Sequence, residues 1–284
     1  MKLKLRTILA TAVVALSIGN IQAQNGKTLT FGFAPGPYSD LFKLGIKPGL
    51  EKKGYKIEIK EFTDWVTPNT ALANKEIDVN IFQHSRYLKK FSDDKNLKLS
   101  GILTIPTASF GIYSHRIKAK TIDQLKKQIK KGDEITIPND PTNLARALVF
   151  LRNAGIITIK ADIDATKASE KDIDQNPYGL VFKPVEAAQL PRTLESVTLS
   201  IISGNYAISA GIPLSSAIAR ERLSQDIIIT IAVRTEDLSK QFIKDITDVV
   251  QSVDFKNVVE NKKYDFKQFE RPQWYVLKWK IQNK

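Results

Sequence analysis

Residues 29–82 switch repeatedly between two hydrophobic periods, and that switching limits the chain to a small set of folds. Leu29, Phe31 and Phe33 alternate with small or polar residues, the period of a strand. After the turn Pro35-Gly36-Pro37, Leu41, Phe42, Ile46 and Leu50 recur at helical spacing up to Gly54, a suitable helix stop. Tyr55, Ile57 and Ile59 then alternate with Lys56, Glu58 and Lys60 in a second strand. A strand–helix–strand unit predicts an α/β protein with a parallel sheet, because the intervening helix carries the chain back across one sheet face.

The alternation continues. Thr67 as cap and Pro68 at the first helical position predict a short helix to about Lys75, and Asp78–Phe82 reads as a strand. Residues 102–113 are extended, with Pro106 interrupting them. Thr121 and Gln124 form the pattern of a capping box ahead of a lysine-rich helix. Ile135–Pro138 is a strand, followed by Asn139-Asp140-Pro141 and a strongly periodic helix over about 142–155. Strands follow near 180–184, 198–202 and 227–233. Leu238, Phe242, Ile246, Val249 and Val253 predict one long amphipathic helix.

Residues 1–23 are set apart from this pattern. Lys2, Lys4 and Arg6 precede an apolar run from Ile8 to Ile18, and Ile21-Gln22-Ala23 closes the segment. A basic start, a short apolar core and a small residue at the end are expected of a cleavable signal peptide, with the cut after Ala23. The run is too short for a membrane-spanning helix, which needs about 20 apolar residues. The sequence contains no cysteine, which excludes disulfides, thiolate metal sites and a cysteine nucleophile, and predicts a chain without a lipid on an N-terminal cysteine. Without the three leader cations, 40 basic residues face 30 acidic ones, a surplus that could attract nucleic acid or anionic lipid. The cations are spread along the chain, however. The densest stretch, Lys126, Lys127, Lys130 and Lys131, alternates with Ile122, Leu125 and Ile129 and reads as the solvated face of a helix.

About 260 residues remain, enough for two lobes of ordinary domain size. With no linker between them, the lobes are expected to be joined by strands, near 102–113 and 227–234. Ligands in such architectures lie between the lobes, beyond the strand ends.

Three loops carry unusual residues: Asp64-Trp65-Val66-Thr67-Pro68-Asn69, Asn80-Ile81-Phe82-Gln83-His84, and Asn139–Arg146. In the third, a helix N-terminus offers backbone N–H groups and Arg146 offers a bidentate guanidinium, a combination suited to a carboxylate. By itself Arg146 is more often a solvated helix residue. His84 alone is more often a hydrogen-bonded structural residue, Trp65 and Phe82 are more often core, and Asn205 after a strand is equally explained by a turn. Enzymatic readings find little support. There is no G-x-S-x-G elbow, no H-E-x-x-H and no phosphate-binding glycine loop, and the two histidines, His84 and His115, are far apart. No catalytic residue, cofactor or metal is expected.

At these loops the chain resembles the methionine-binding proteins of bacterial ABC importers, the MetQ/NlpA lipoprotein family. The densest match is Glu61-Phe62-Thr63-Asp64-Trp65-Val66-Thr67-Pro68-Asn69-Thr70-Ala71-Leu72, continuing through residues 76–84 to Tyr87-Leu88. Further matches are Gly111–Ser114, Ile137–Asn143 with Arg146-Ala147-Leu148, Glu186–Arg192 and Gly204–Ala207. The resemblance runs from about Leu29 to about Arg234. Residues 105–110 and 197–202 fit poorly, and residues 265–284 extend past the match. The resemblance implies a type II-like periplasmic binding protein fold: two α/β lobes closing over an amino acid, methionine first, another small apolar amino acid or derivative second. The expected lobes are 24–108 with 230–284, and 109–229. Arg146 would pair with the ligand carboxylate, assisted by His84. Asn205, Asn143 and Asn80 would supply polar contacts. Trp65, where the family often has tyrosine, would form an apolar slot with Phe82 for the thioether chain. The implied partner is an ABC permease, with the chain a soluble, non-lipidated periplasmic monomer that binds no nucleic acid. Without ligand, Arg146 is expected to be largely hydrated.

Overall fold

A computed structural model describes residues 27–281; the predicted leader lies outside the described residues. In chain order the strands are β1 (Thr28–Phe33), β2 (Lys56–Glu61), β3 (Val79–His84), β4 (Leu99–Thr104), β5 (Gly111–Tyr113), β6 (Glu134–Pro138), β7 (Val181–Val185), β8 (Leu199–Ile202), β9 (Ala219–Arg220) and β10 (Ile229–Arg234). They form two five-stranded sheets, ordered β2-β1-β3-β10-β4 and β7-β6-β8-β5-β9. β1 is parallel to β2 and β3, and β6 is parallel to β7 and β8. The exceptions are informative. β5 and β10 each follow a passage from the other lobe, and both run antiparallel to their neighbours. A strand arriving from the opposite lobe enters its sheet at the cleft end, where the parallel strands finish.

The two passages, residues 105–110 and 221–228, lie side by side. Ile105 N–H donates to Ile229 O (2.8 Å) and Glu221 N–H to Phe110 O (2.9 Å). The C-terminal segment braces them. Thr107 and Glu270 exchange backbone hydrogen bonds of 2.9 Å, Leu223 N–H donates to a Glu270 carboxylate oxygen (3.0 Å), and Trp274 Nε1 donates to Thr104 O (2.8 Å). Tyr275 is fully buried in the first lobe's core. Residues 265–281 are therefore part of the first lobe.

The helices are α1 (Tyr38–Gly45), α2 (Lys47–Lys52), α3 (Thr67–Ala73), α4 (Ser85–Lys95), α5 (Ile122–Lys126), α6 (Pro141–Asn153), α7 (Leu190–Thr193), α8 (Gly204–Ser209), α9 (Gln241–Val250), α10 (Val253–Glu260) and α11 (Gln273–Trp279). Several differ from the sequence expectation. The first predicted helix is broken at Ile46. The long C-terminal helix divides into α9 and α10, because Ser252 caps a new start (Phe255 N to Ser252 Oγ, 3.2 Å); Leu238 and Val253, assigned to its apolar stripe, are exposed. The lysine-rich helix is only five residues long. Thr121 caps it through Gln124 N–H, but Gln124 Oε1 accepts from Lys120 rather than from Thr121, so the capping box is half made. At α3 the capping acceptor is Asp64, whose Oδ1 takes Val66 and Thr67 N–H at 2.6 and 2.7 Å. α4 has no counterpart in the periodicity reading, since only Tyr87, Leu88 and Ser92 are buried.

One apolar cluster fills the first lobe around Phe31, Phe33, Phe42 and Tyr275, and reaches across to Ile202 and Tyr206 of the second. A separate cluster around Phe110, Ile135, Leu148 and Leu199 forms the core of the second lobe. The lobes are in contact, and the cleft between them is closed down to a narrow cavity.

Candidate functional site

The cavity has about 370 Å³ of space between atoms, part of it open to solvent. Tyr38 follows β1, Trp65 lies in the turn after β2, and Phe82, Gln83 and His84 end β3. From the second lobe come Asn143 and Arg146 on α6, after β6, and Ser203 and Asn205 at the start of α8, after β8. All lie at carboxyl ends of strands, where side chains and free helix ends converge in an open α/β sheet.

Among the described residues Arg146 is the one guanidinium lining the cavity, and it is buried rather than hydrated. It is 5% exposed, and its Nε and Nη2 face the Glu221 carboxylate at 3.0 and 2.7 Å. Glu221 is itself 7% exposed. The guanidinium also lies 3.8 Å from the centre of the Phe110 ring. Both partners belong to the interlobe passages, so the ligand-side arginine is fixed to the segments about which the lobes would turn. The expectation of a hydrated arginine is corrected here: a charge this deeply buried requires a counter-ion. Nη1 makes a 3.5 Å contact to Asn143 Oδ1 and is not engaged by Glu221, so the guanidinium keeps donor capacity beyond its ion pair.

The second correction concerns the α6 N-terminus. Its own N-cap, Asp140, occupies it: Oδ1 accepts Asn143 N–H at 3.0 Å and Thr142 Oγ1 at 3.0 Å. Burial raises the Asp140 carboxyl above its ordinary value, opposed by these hydrogen bonds. The N–H groups expected to receive a ligand carboxylate are thus partly engaged already. Asn143 extends the network, its amide donating to both Asp140 oxygens at 3.1 and 3.2 Å. Its Oδ1 is 3.2 Å from His84 Nε2 across the cleft. His84 Nδ1 accepts Tyr87 N–H at 3.0 Å and so caps α4. That bond assigns the proton to Nε2, which donates to Asn143. Burial, reinforced by the charge of Arg146, lowers the imidazole to about 3. His84 is therefore neutral, a helix cap and an interlobe contact at once.

Trp65 and Phe82 line the aromatic wall together with Tyr87. The Trp65 ring is 5.0 Å from that of Tyr206 in the opposite lobe. Asn205 Nδ2 donates to Pro35 O at 3.0 Å, also across the cleft. Next to it, Gly36 adopts φ +136°, and a Cβ there would lie 2.6 Å from Asn205 Cβ. Only glycine allows the two lobes to approach this closely at that point.

Of the seven residues singled out in the sequence, Trp65, Phe82, His84, Asn143, Arg146 and Asn205 line the cavity. Asn80 does not. It is completely buried, donates to Asn69 Oδ1 at 2.9 Å and accepts from Gln83 Nε2 at 3.0 Å. Asn80 has the same parity along β3 as Phe82 and His84, but it lies further from the strand end, where Asn69 of α3 packs against it. Tyr38, Gln83, Tyr87, Thr107, Phe110 and Ser203 were not anticipated as lining residues, nor Glu221 as the partner of Arg146. Glu221 is 75 positions from Arg146, and nothing in the sequence around it marks the pairing.

Two α/β lobes, linked by paired passages and closed over a cavity at their strand ends, define the class of two-lobed periplasmic substrate-binding proteins. A solved structure of that class, a nutrient-binding protein from Burkholderia cenocepacia bound to methionine, superposes with a TM-score of 0.76 at 33% identity, covering 84% of this chain and 97% of that one. The family model described as NlpA lipoprotein matches residues 29–274, and the chain belongs to that family. Outer membrane lipoprotein 3 of Mannheimia haemolytica is 35% identical, over 88% of this chain and 93% of that protein. The probable D-methionine-binding lipoprotein MetQ of Vibrio cholerae is 32% identical, over 89% and 93%. The family match extends beyond Arg234 to residue 274, and so takes in residues 265–274 of the C-terminal segment.

Proposed function

We propose that the protein captures methionine in the periplasm and delivers it to the membrane permease of an ABC importer. The observation that carries this reading is the cavity itself. Arg146 lines it, paired with Glu221 through Nε and Nη2, and Trp65, Phe82 and Tyr87 line it as well. An ion-pairing donor at one end and aromatic faces at the other suit an amino acid with an apolar, polarizable side chain. Relatives and structural neighbours that carry methionine in their names support the same ligand. The ligand carboxylate would approach Arg146 end-on, since Glu221 already holds the Nε side. Asn205 and Asn143 would contact the head group. The alternative within this class is another small apolar amino acid or derivative, because Trp65 narrows the slot relative to tyrosine.

The reading assigns no catalytic role. It takes the mature chain to start at Gln24, to be monomeric and, since the sequence lacks cysteine, to carry no lipid. Among the described residues no helix is long and apolar enough to cross a membrane. The decisive experiment strips co-purified ligand by unfolding and refolding, then measures melting temperature against all common amino acids, both enantiomers of methionine included. A ligand that binds only the folded state stabilises it by RT ln(1 + [L]/Kd). Methionine should give the largest shift. A clearly larger shift with another amino acid overturns the ligand, and no shift with any of them overturns the binding role.

A further inference from the structure

The densest run of cations in the chain stays unmatched after folding. Lys118, Lys120, Lys126, Lys127, Lys130 and Lys131 stand against Asp123 within the run and Asp133 just beyond it. Lys126 is half-buried and the others are exposed. Among the described residues none of them forms an ion pair, whereas Lys47, Lys53, Lys89 and Lys90 of the first lobe each face a carboxylate at 2.5–2.9 Å. Asp133 is occupied by Lys130 N–H at 2.7 Å and Thr198 Oγ1 at 3.1 Å. Glu134 and Glu195, at the same end of the lobe, face Lys183 and His115. The fold gathers the free lysines onto one surface. Gln128 Nε2 donates to Lys118 O at 3.0 Å and Lys120 N–H donates to Gln124 Oε1 at 2.8 Å, which ties the two ends of the run together. Leu125 is fully buried, and Ile122 and Ile129 pack on the second lobe's core, so the lysines between them are turned outward. β5 leaves the passages at Gly111 and β6 returns to the cleft at Pro138. Residues 114–133 therefore lie at the end of the lobe remote from the cavity.

We propose that this lysine face is an electrostatic docking surface for an anionic lipid bilayer. A lysine ammonium is a hydrated point charge on a flexible stem, which suits a diffuse layer of phosphate headgroups better than one bidentate partner. Cations with no internal partner keep their attraction for such a layer, and each strengthens attachment about fivefold when it comes within a Debye length. The periplasmic reading above supplies the membrane, and the identity of the cleft ligand does not enter. A chain without cysteine has no thiol on which a lipid could be placed. Contact through the lysine face holds the protein reversibly near a membrane-embedded permease. Because that face is remote from the cavity, the cleft stays open to solvent and ligand while the protein is attached.

The test is co-sedimentation of the full mature chain with vesicles of phosphatidylcholine, alone or with about 30% phosphatidylglycerol, at about 0.05 M and about 0.5 M salt. The protein should bind the anionic vesicles roughly tenfold or more above the neutral ones at low salt, and lose that preference at high salt. The combined variant Lys126→Gln, Lys127→Gln, Lys130→Gln and Lys131→Gln should weaken this binding by about tenfold or more. An equal change of charge on exposed lysines of the first lobe, Lys244→Gln, Lys262→Gln, Lys263→Gln and Lys267→Gln, should weaken it less than about threefold. Acetylation of the wild-type protein, read by mass spectrometry, needs no variant to fold. Anionic vesicles should slow it at Lys126, Lys127, Lys130 and Lys131 but not at Lys262 and Lys263. No preference for anionic vesicles, equal losses in the two variants, or protection confined to other lysines overturns the proposal. So does tighter binding to duplex DNA than to these vesicles at the same salt, which assigns the face to nucleic acid. Methionine binding by the free protein is measured separately, and its failure overturns the ligand reading while the vesicle result stands.

Discussion

Replacing Arg146 with alanine should damage the fold as well as the site. The guanidinium and the Glu221 carboxylate are 5% and 7% exposed and meet through Nε and Nη2, with a closest approach of 2.7 Å. Truncating one member of such a pair leaves a buried carboxylate without its counter-charge, at a cost of about 3–5 kcal/mol. The loss of the Phe110 contact at 3.8 Å adds to this. A surface pair of the same composition would contribute about 0–1 kcal/mol, so the two cases are readily separated by urea unfolding. Glu221→Leu combined with Arg146→Met should recover most of the stability, since replacing a buried ion pair by apolar groups is often neutral or favourable. Ligand binding should not recover, because truncating a buried partner of a ligand charge costs about 2–5 kcal/mol, roughly 30-fold to several thousand-fold in Kd. Arg146→Lys should restore only part of either property, as a single ammonium cannot span Glu221 and a ligand together. Arg152→Ala, on the exposed face of α6, is the control and should change neither. If Arg146→Ala loses less than about 1 kcal/mol, the bound that applies to exposed pairs, the buried network described here does not govern this arginine. If its Kd stays within about threefold of wild type, below half of one tenfold step, the ligand does not sit on it.

Three further perturbations follow from the geometry. Gly36→Ala puts a Cβ 2.6 Å from Asn205 Cβ, in a backbone conformation of φ +136°; the lobes should fail to close, seen as roughly tenfold or greater weakening of ligand affinity and a larger radius of gyration in scattering with ligand present. Asn80→Ala should lower stability by about 1–3 kcal/mol through the broken amide cluster, while affinity in calorimetry stays near wild type. His84, held at about 3 in the folded state, takes up a proton near pH 6.5 when unfolded; the unfolded chain then binds more protons between these values, so stability should fall as pH drops from about 6.5 towards 3, and His84→Asn should flatten that slope in urea titrations across pH.

The α/β class was legible because each strand and helix announces itself through its own period. Leu29, Phe31 and Phe33, or Leu41 and Phe42, need no partner elsewhere in the chain to reveal a strand or a helix. The cavity residues Trp65, Phe82, His84, Asn143, Arg146 and Asn205 were legible for a different reason: they stand in long ordered motifs at strand ends, where such folds place their ligands. α4 was missed because little of its surface is buried. Its support is the pairs Lys89–Asp93 and Lys90–Asp94, four positions apart, a pattern present in the sequence but weaker than an apolar stripe. The split between α9 and α10 likewise depended on Ser252 as a cap, against a continuous apolar period.

What tertiary structure alone decided is which polar group meets which. Asn80 and Gln83 lie three positions apart on β3, and only the packing of α3 draws Asn80 inward to Asn69 while Gln83 also borders the cavity. Arg146 finds Glu221 because the two interlobe passages run side by side, an arrangement set by sheet topology and not by any local signal. The C-terminal segment joins the first lobe because Glu270 and Trp274 pair with the same passages. Local periodicity fixes elements, since its causes lie within a few residues. Buried charges choose partners by proximity in the folded chain, where removal from water makes each unmatched charge too costly to keep.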